Sequence, residues 1–238
     1  MPRALPPEVL PTWESRFFIE TEAAVRFQAL APRLAEAGVP VALVSLAERA
    51  AEDERRHAVH CQRFVTQYGG EVLTPLTALV EYAPRALSGR QRLTYEMVAQ
   101  CCLAETQSTR SLLTLLDAAE APELKAVLQE LARDEVGHSR LGWGYLTFAQ
   151  RTEDLAFLSP LLTQMISGSA GPELFAAPSE PELPSTAQAL LRHGVVPRAE
   201  RRGMYLETLA EVVLPGLALA GVDTADAAAW VAARARAT

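Results

Sequence analysis

Cysteine is scarce in this 238-residue sequence, which contains three. Cys101 and Cys102 are adjacent, and no two cysteines form a C-x-x-C pair. The sequence therefore predicts neither a disulfide framework nor a four-cysteine metal site. The first ten residues contain no apolar stretch typical of a signal peptide. From these features we expect a protein of the reducing cytoplasm.

Long apolar runs and clusters of basic residues are also absent. The best apolar stretch, residues 209–222, contains Glu211 and Pro215 and is shorter than the ~18 residues of a membrane span. The net charge is −7, which argues against nucleic acid or an anionic lipid surface as the main partner. We therefore expect a globular protein that binds neither a membrane nor nucleic acid, and 49% hydrophobic residues are enough to form its core.

Apolar residues recur at helical spacing along most of the chain, whereas alternating strand patterns are absent. The spacing predicts four long helices over 12–36, 41–68, 90–119 and 122–151, the first capped by Thr12. Shorter helices are predicted over about 155–166, 186–193, 198–220 and 224–236. The stretch 167–185, rich in Gly, Pro and Ser, is predicted to be a loop.

The lengths of the connections predict how the long helices are arranged. Short turns join the first helix to the second and the third to the fourth, which favours antiparallel neighbours. The connection over 69–88 is long enough to return along a bundle. We therefore predict an all-α fold, a four-helix bundle with one long crossover over 1–151. Residues 152–238 are expected to be a helical C-terminal extension packed on the bundle.

The pattern D-E-x-x-H occurs twice, at 53–57 and 134–138, on the second and fourth predicted helices. Glu and His three residues apart lie on one helical face, where both can bind the same metal ion. By chance a chain of this composition contains E-x-x-H roughly 0.4 times, and D-E-x-x-H roughly 0.01 times. Two such motifs on two long helices therefore indicate a metal site.

The other two long helices each offer a further carboxylate. Glu105 lies on the third helix, within a largely apolar stretch. On the first helix the choice lies between Glu20 and Glu22. Glu20 has apolar neighbours at helical spacing, whereas Glu22 shares its face with Arg26. We therefore choose Glu20, with Glu22 as the alternative.

This pattern resembles the ferritin-like di-iron carboxylate superfamily over about residues 13–151, and most closely its di-iron oxygenases and rubrerythrin-like proteins. The resemblance implies a site for two iron ions, with manganese as the alternative metal. It also implies bridging roles for Glu54 and Glu135. The implied ligands are Glu20, Glu54 and His57 for one ion and Glu105, Glu135 and His138 for the other.

The resemblance extends to residues next to these ligands. Asp53 and Asp134 would each accept a hydrogen bond from the ring N–H of the histidine in the opposite motif. Arg56 would balance the carboxylate charge. Thr109, one turn after Glu105, would be a catalytic residue that lines the pocket and relays protons, as proposed for hydrocarbon monooxygenases.

By the same resemblance we expect an O₂-dependent oxidoreductase of the hydroxylase or oxygenase type that acts on a small organic substrate. An electron-donor protein and a second copy of the chain are the expected partners. The first alternative is a ferroxidase or peroxide-reducing protein of the rubrerythrin or ferritin type. The second is a helical scaffold without catalytic activity.

Overall fold

The computed structural model describes residues 5–176 and 184–236, and the regular elements among them are all helical. Residues 177–183, most of the second half of the predicted loop 167–185, lie outside the described residues. The helices are α1 (Val9–Glu36), α2 (Val41–Gln67), α3 (Gly89–Met97), α4 (Glu105–Ala118), α5 (Pro122–Ala149), α6 (Ser159–Ser169), α7 (Pro184–Arg192), α8 (Arg198–Thr208), α9 (Leu214–Leu219) and α10 (Ala225–Arg236).

Short segments of other helix types join several of these helices. Two are π-helical, Val98–Ala104 between α3 and α4 and Leu209–Val213 between α8 and α9. Two are 3₁₀-helical, Leu155–Leu158 before α6 and Pro172–Leu174 after it. The predicted helices over 90–119 and 198–220 are thus each a continuous helical run that contains a π segment.

The chain divides into two compact units, and each combines three stretches of sequence. The first unit contains residues 1–81, 112–134 and 182–197, and the second contains the rest. Helices α4 and α5 contribute residues to both units. The domain boundary that we placed at residue 151 stays a prediction.

In the first unit, α1 and α2 pack antiparallel across a core of aromatic and aliphatic side chains. The Trp13 ring near the start of α1 stacks on Phe64 near the end of α2, with 4.3 Å between centroids. The buried Trp13 indole donates a hydrogen bond to the carbonyl of His193, which joins the end of α7 to α1. Ion pairs between α2 and α5, such as Arg63 with Glu123, attach the first half of α5.

Helix α1 begins earlier than the sequence predicts. Its N-cap is Glu8, so the prediction that Thr12 caps the helix is wrong. The Thr12 hydroxyl donates to the carbonyl of Glu8, as a residue inside the first turns does. Pro11 lies in the first turn of α1, where proline is tolerated because the N–H groups have no partner in the helix.

In the second unit, the run from α3 through the π segment to the start of α4 packs on the second half of α5. The hydroxyl groups of Thr94 and Tyr145 are hydrogen bonded at 2.7 Å in a buried position. Gly142 lies directly against the backbone of Cys101 in the π segment. Helices α6, α8, α9 and α10 also belong to this unit, and the Tyr205 hydroxyl donates to the Ile166 carbonyl.

Among the described residues, no helix combines the length and hydropathy that crossing a bilayer requires.

We predict that Gly142→Ala lowers the free energy of unfolding by about 1–3 kcal/mol, the usual cost of overpacking a core. An added Cβ would lie 2.6 Å from the Cys101 Cβ and 2.8 Å from the backbone of Cys101 and Cys102. Gly137→Ala, in the same helix, is the matched control. A Cβ there meets nothing within 4 Å, so this change should raise the stability by about 0.5–1 kcal/mol. Urea denaturation measures both, and equal effects of the two changes would contradict the close packing of α5 on the π segment.

Candidate metal centre

The first unit contains a buried group formed by Glu20 from α1 and Glu54 and His57 from α2. The His57 Nδ1 atom lies 3.4 Å from a Glu54 carboxylate oxygen and 3.6 Å from a Glu20 carboxylate oxygen. All three side chains are buried. Each offers one ligand atom, and these atoms lie within 4.8 Å of one another. The group therefore has the composition and spacing to hold one metal ion.

The other ring nitrogen of His57 faces Asp134. The Nε2–Oδ2 distance is 3.1 Å, so the carboxylate can accept the ring N–H. This contact leaves Nδ1 directed at Glu20 and Glu54 and fixes the orientation of the imidazole. Asp134 thus contacts the histidine of the opposite motif, which is the contact that the resemblance implies.

Arg56 links the carboxylates next to this histidine. Its guanidinium donates to Asp134 at 2.7 Å, to Asp53 at 2.8 Å and to Glu130 at 2.6 Å. Hydrogen bonds to Asp53 and Glu130 raise the pKa of Arg56, which keeps it charged. Arg56 therefore lies among three carboxylates and holds the side chain of Asp134, which contacts His57.

Glu22 does not join this group. Its carboxylate pairs with the guanidinium of Arg26, one turn along α1. Glu20, by contrast, is buried beside His57. Between the two alternatives on the first helix, the geometry favours Glu20.

Protons compensate the buried charge of this group. Burial alone would lower the pKa of His57, but hydrogen bonds with Glu20 and Glu54 outweigh it and raise the pKa to about 11. Burial alone would raise the pKa of Glu20, but the contact with His57 lowers it instead. In the metal-free protein an imidazolium therefore occupies the centre of the carboxylates.

The second unit contains the corresponding buried group, Glu105 from α4 with Glu135 and His138 from α5. The His138 Nδ1 atom lies 3.1 Å from Glu135 and 4.0 Å from Glu105. Their ligand atoms also lie within 4.8 Å of one another. Burial and the charge of Glu135 raise the pKa of Glu105 well above its usual range, so Glu105 holds a proton when no metal is bound.

Two residues that the sequence analysis did not identify donate to these carboxylates. The Ser108 hydroxyl donates to Glu135 at 3.1 Å, and the Gln100 amide donates to Glu105 at 2.5 Å. Gln100 and Glu105 are five residues apart, a spacing that a π turn aligns and an α-helix does not. The π segment Val98–Ala104 therefore brings the Gln100 amide to Glu105.

Thr109 has a different environment from the one expected. Its hydroxyl donates to the backbone carbonyl of Glu105 at 2.8 Å, within the same helix. The catalytic role of Thr109 stays a prediction. Ser108, which also lies within one turn of Glu105, does donate to a candidate ligand, Glu135.

The donor set fits a pair of divalent metal ions. The two groups together supply four carboxylates and two imidazoles, and four negative charges balance two doubly charged ions when the histidines are neutral. Mixed oxygen and nitrogen ligands suit iron or manganese. Metal binding would displace the protons that now neutralise Glu105 and the carboxylates around His57.

The comparison with known families agrees with this site. The family model of rubrerythrin matches residues 14–141, more than half of the chain. No curated protein and no solved structure matches significantly. The ferritin-like fold of this family is an all-α bundle, which confirms the predicted fold class. With this match over the helices that carry the Glu and His residues, the chain belongs to the rubrerythrin family.

Proposed function

We propose that the protein is a di-iron oxidoreductase that uses O₂ to oxidise a small organic substrate. Rubrerythrin-family proteins bind two irons and are often oxidoreductases, which supports the coarser part of this proposal. The observation that carries it is the pair of buried Glu-x-x-His groups, each joined by a glutamate from a neighbouring helix.

In this proposal Glu20, Glu54 and His57 would hold one iron, and Glu105, Glu135 and His138 would hold the other. Bound iron supplies the electrons and the open binding positions that O₂ reduction needs. Asp134 would accept the Nε2–H of His57 and so hold the Nδ1 atom toward the metal position. Gln100 and Ser108 donate to Glu105 and Glu135 and so fix the orientation of these carboxylates.

The surroundings of Glu105 favour an organic substrate over a hydrated ion. The π segment and the residue before it supply apolar side chains that are at most 1% exposed: Met97, Val98, Cys101, Cys102 and Leu103. Burial raises the pKa of Cys102, so its thiol remains neutral and behaves as a small apolar group. Such surroundings exclude water from a reactive oxidant. An electron-donor protein and a second copy of the chain complete the proposal as partners.

The second candidate function is iron oxidation or peroxide reduction, and the rubrerythrin family match favours it. Anaerobic loading with Fe(II) followed by O₂ distinguishes the two. We expect the first equivalents of iron to be oxidised once and retained, with further O₂ uptake only when a reductant and an organic substrate are present. Continued oxidation of added Fe(II), or rapid reduction of peroxide, would instead establish the second function. If the folded protein binds no iron, both of these functions are excluded, and the helical scaffold without catalytic activity is the remaining alternative.

We predict that Glu20→Gln reduces the bound iron from about two ions per chain to about one, because the amide cannot supply the anionic ligand. Glu22→Gln, two residues away and paired with Arg26 outside the group, should retain both ions. Metal content after loading and gel filtration gives the measurement. Loss of iron from the Glu22 variant alone would reverse the choice of ligand on α1.

We predict that Asp134→Asn weakens metal binding about 10- to 100-fold, the usual effect of removing the acceptor behind a histidine ligand. Glu130→Gln is the matched control, because Glu130 also pairs with Arg56 but not with the His57 ring. Competition with a coloured chelator measures the affinity of each variant. Equal losses in both variants would show that Asp134 acts through Arg56 and not through His57.

A further inference from the structure

A groove in the first unit lies between α1, α2 and the segment 72–77 of the crossover connection. Its volume is about 950 Å³. Glu20, Glu54 and His57 do not line it, although Thr21, Arg55 and Ala58 beside them do. Successive residues of a helix point about 100° apart, so α1 and α2 present the candidate ligands and the groove on different faces. The groove is therefore separate from the proposed metal centre.

Polar side chains fix the crossover segment over the two helices. The Gln62 side chain accepts from the backbone N–H of Leu73 and donates to the Glu71 carbonyl. The Thr21 hydroxyl accepts from the backbone N–H of Leu76 at 3.3 Å. These hydrogen bonds satisfy backbone groups of the crossover segment at the margins of the groove. The interior of the groove is lined mainly by apolar side chains.

Several apolar side chains in the groove remain accessible. Val59 is 61% exposed, Val72 is 80% exposed and Leu76 is 39% exposed. Ala24 and Ala58 form part of the floor, and their small side chains leave room above the helices. Clustered exposed apolar groups mark binding sites, and the volume lies within the range of about 300–1,000 Å³ for pockets that bind organic molecules.

The groove also carries a guanidinium whose hydrogen-bond partner, within the described part of the chain, is a neutral amide. Its charged lining residues are Arg55, Arg63 and Glu123. Arg63 and Glu123 form an ion pair at 2.5 Å. Arg55 donates instead to the neutral side-chain amide of Gln28 at 2.5 Å, and this contact leaves its charge in place. A guanidinium beside an apolar groove complements a molecule with an anionic head and an apolar body.

We propose that this groove binds an amphiphilic carboxylate, with the alkyl or aryl body between α1, α2 and the crossover segment and the carboxylate on Arg55. The proposal goes beyond the di-iron function, because its residues and its ligand chemistry do not depend on metal. Binding is therefore expected with or without iron.

Isothermal titration of the full chain with dodecanoate, below its micelle concentration, tests the proposal. Dodecanol and dodecylammonium serve as neutral and cationic probes of the same chain length. We expect one site per chain and an affinity order of dodecanoate, dodecanol, then dodecylammonium. The same titration on metal-free and iron-loaded protein separates this proposal from the di-iron function.

Two pairs of variants locate the site. Val59→Trp should fill the groove and reduce dodecanoate affinity at least about tenfold. Val41→Trp, at an exposed position on α2 outside the groove, should leave the affinity unchanged.

The second pair tests the charge. Arg55→Gln should weaken dodecanoate binding about fivefold, as expected for an exposed charge pair, and leave dodecanol binding unchanged. Arg49→Gln, on α2 outside the groove, is its control. Circular dichroism confirms that each variant is folded.

Four results would overturn the proposal. The first is no binding of monomeric dodecanoate, and the second is equal loss in Val59→Trp and Val41→Trp. The third is binding to anionic phospholipid vesicles without binding of free dodecanoate, which would identify a membrane surface as the partner. The fourth is a dimer that Val59→Trp converts to monomer, which would show that a second copy covers the groove.

Discussion

Burial of six ionisable side chains inside a helical core is the constraint on which the rest of this structure depends. An isolated charge in such a position costs far more than the whole protein's stability. The protein meets this cost differently in its two units. In the first unit an imidazolium at His57 neutralises Glu20 and Glu54, whereas in the second a proton on Glu105 reduces its repulsion with Glu135. In both units a protonated side chain therefore lies where a metal cation could bind.

Helix geometry places these groups with few residues. Glu and His three residues apart share one face, so each D-E-x-x-H motif supplies two ligand atoms without any loop. Antiparallel packing of α1 on α2 then brings Glu20 beside His57. The aspartate that opens the second motif, Asp134, is turned toward the ring of His57. A helix that carries candidate ligands thus also carries the acceptor that contacts a candidate ligand on its neighbour.

Much of this could be predicted from the sequence, because the signals were periodic. The helix bounds agree within a few residues, and the spacing of the motifs identified side chains that do lie together in buried groups. The π segment could not be predicted, because one extra residue in a turn leaves no trace in a 3.6-residue pattern. Gln100 was missed for the same reason, since its contact with Glu105 spans that turn. For Thr109, the helical spacing predicted its position one turn after Glu105. The spacing could not show that its hydroxyl donates to the backbone carbonyl of Glu105.

The two motifs differ at their third and fourth positions, and the difference at the fourth extends to their surroundings. Arg56 in the first motif joins Asp53, Glu130 and Asp134 into a charged network that makes the orientation of His57 rigid. Gly137 at the matching position of the second motif supplies no charge, and neutral donors from Gln100 and Ser108 contact the carboxylates instead. Burial and the charge of Glu135 raise the pKa of Glu105, whereas the contact with His57 outweighs burial and lowers the pKa of Glu20. The two groups therefore carry their protons on different kinds of side chain, a carboxyl in one and an imidazole in the other.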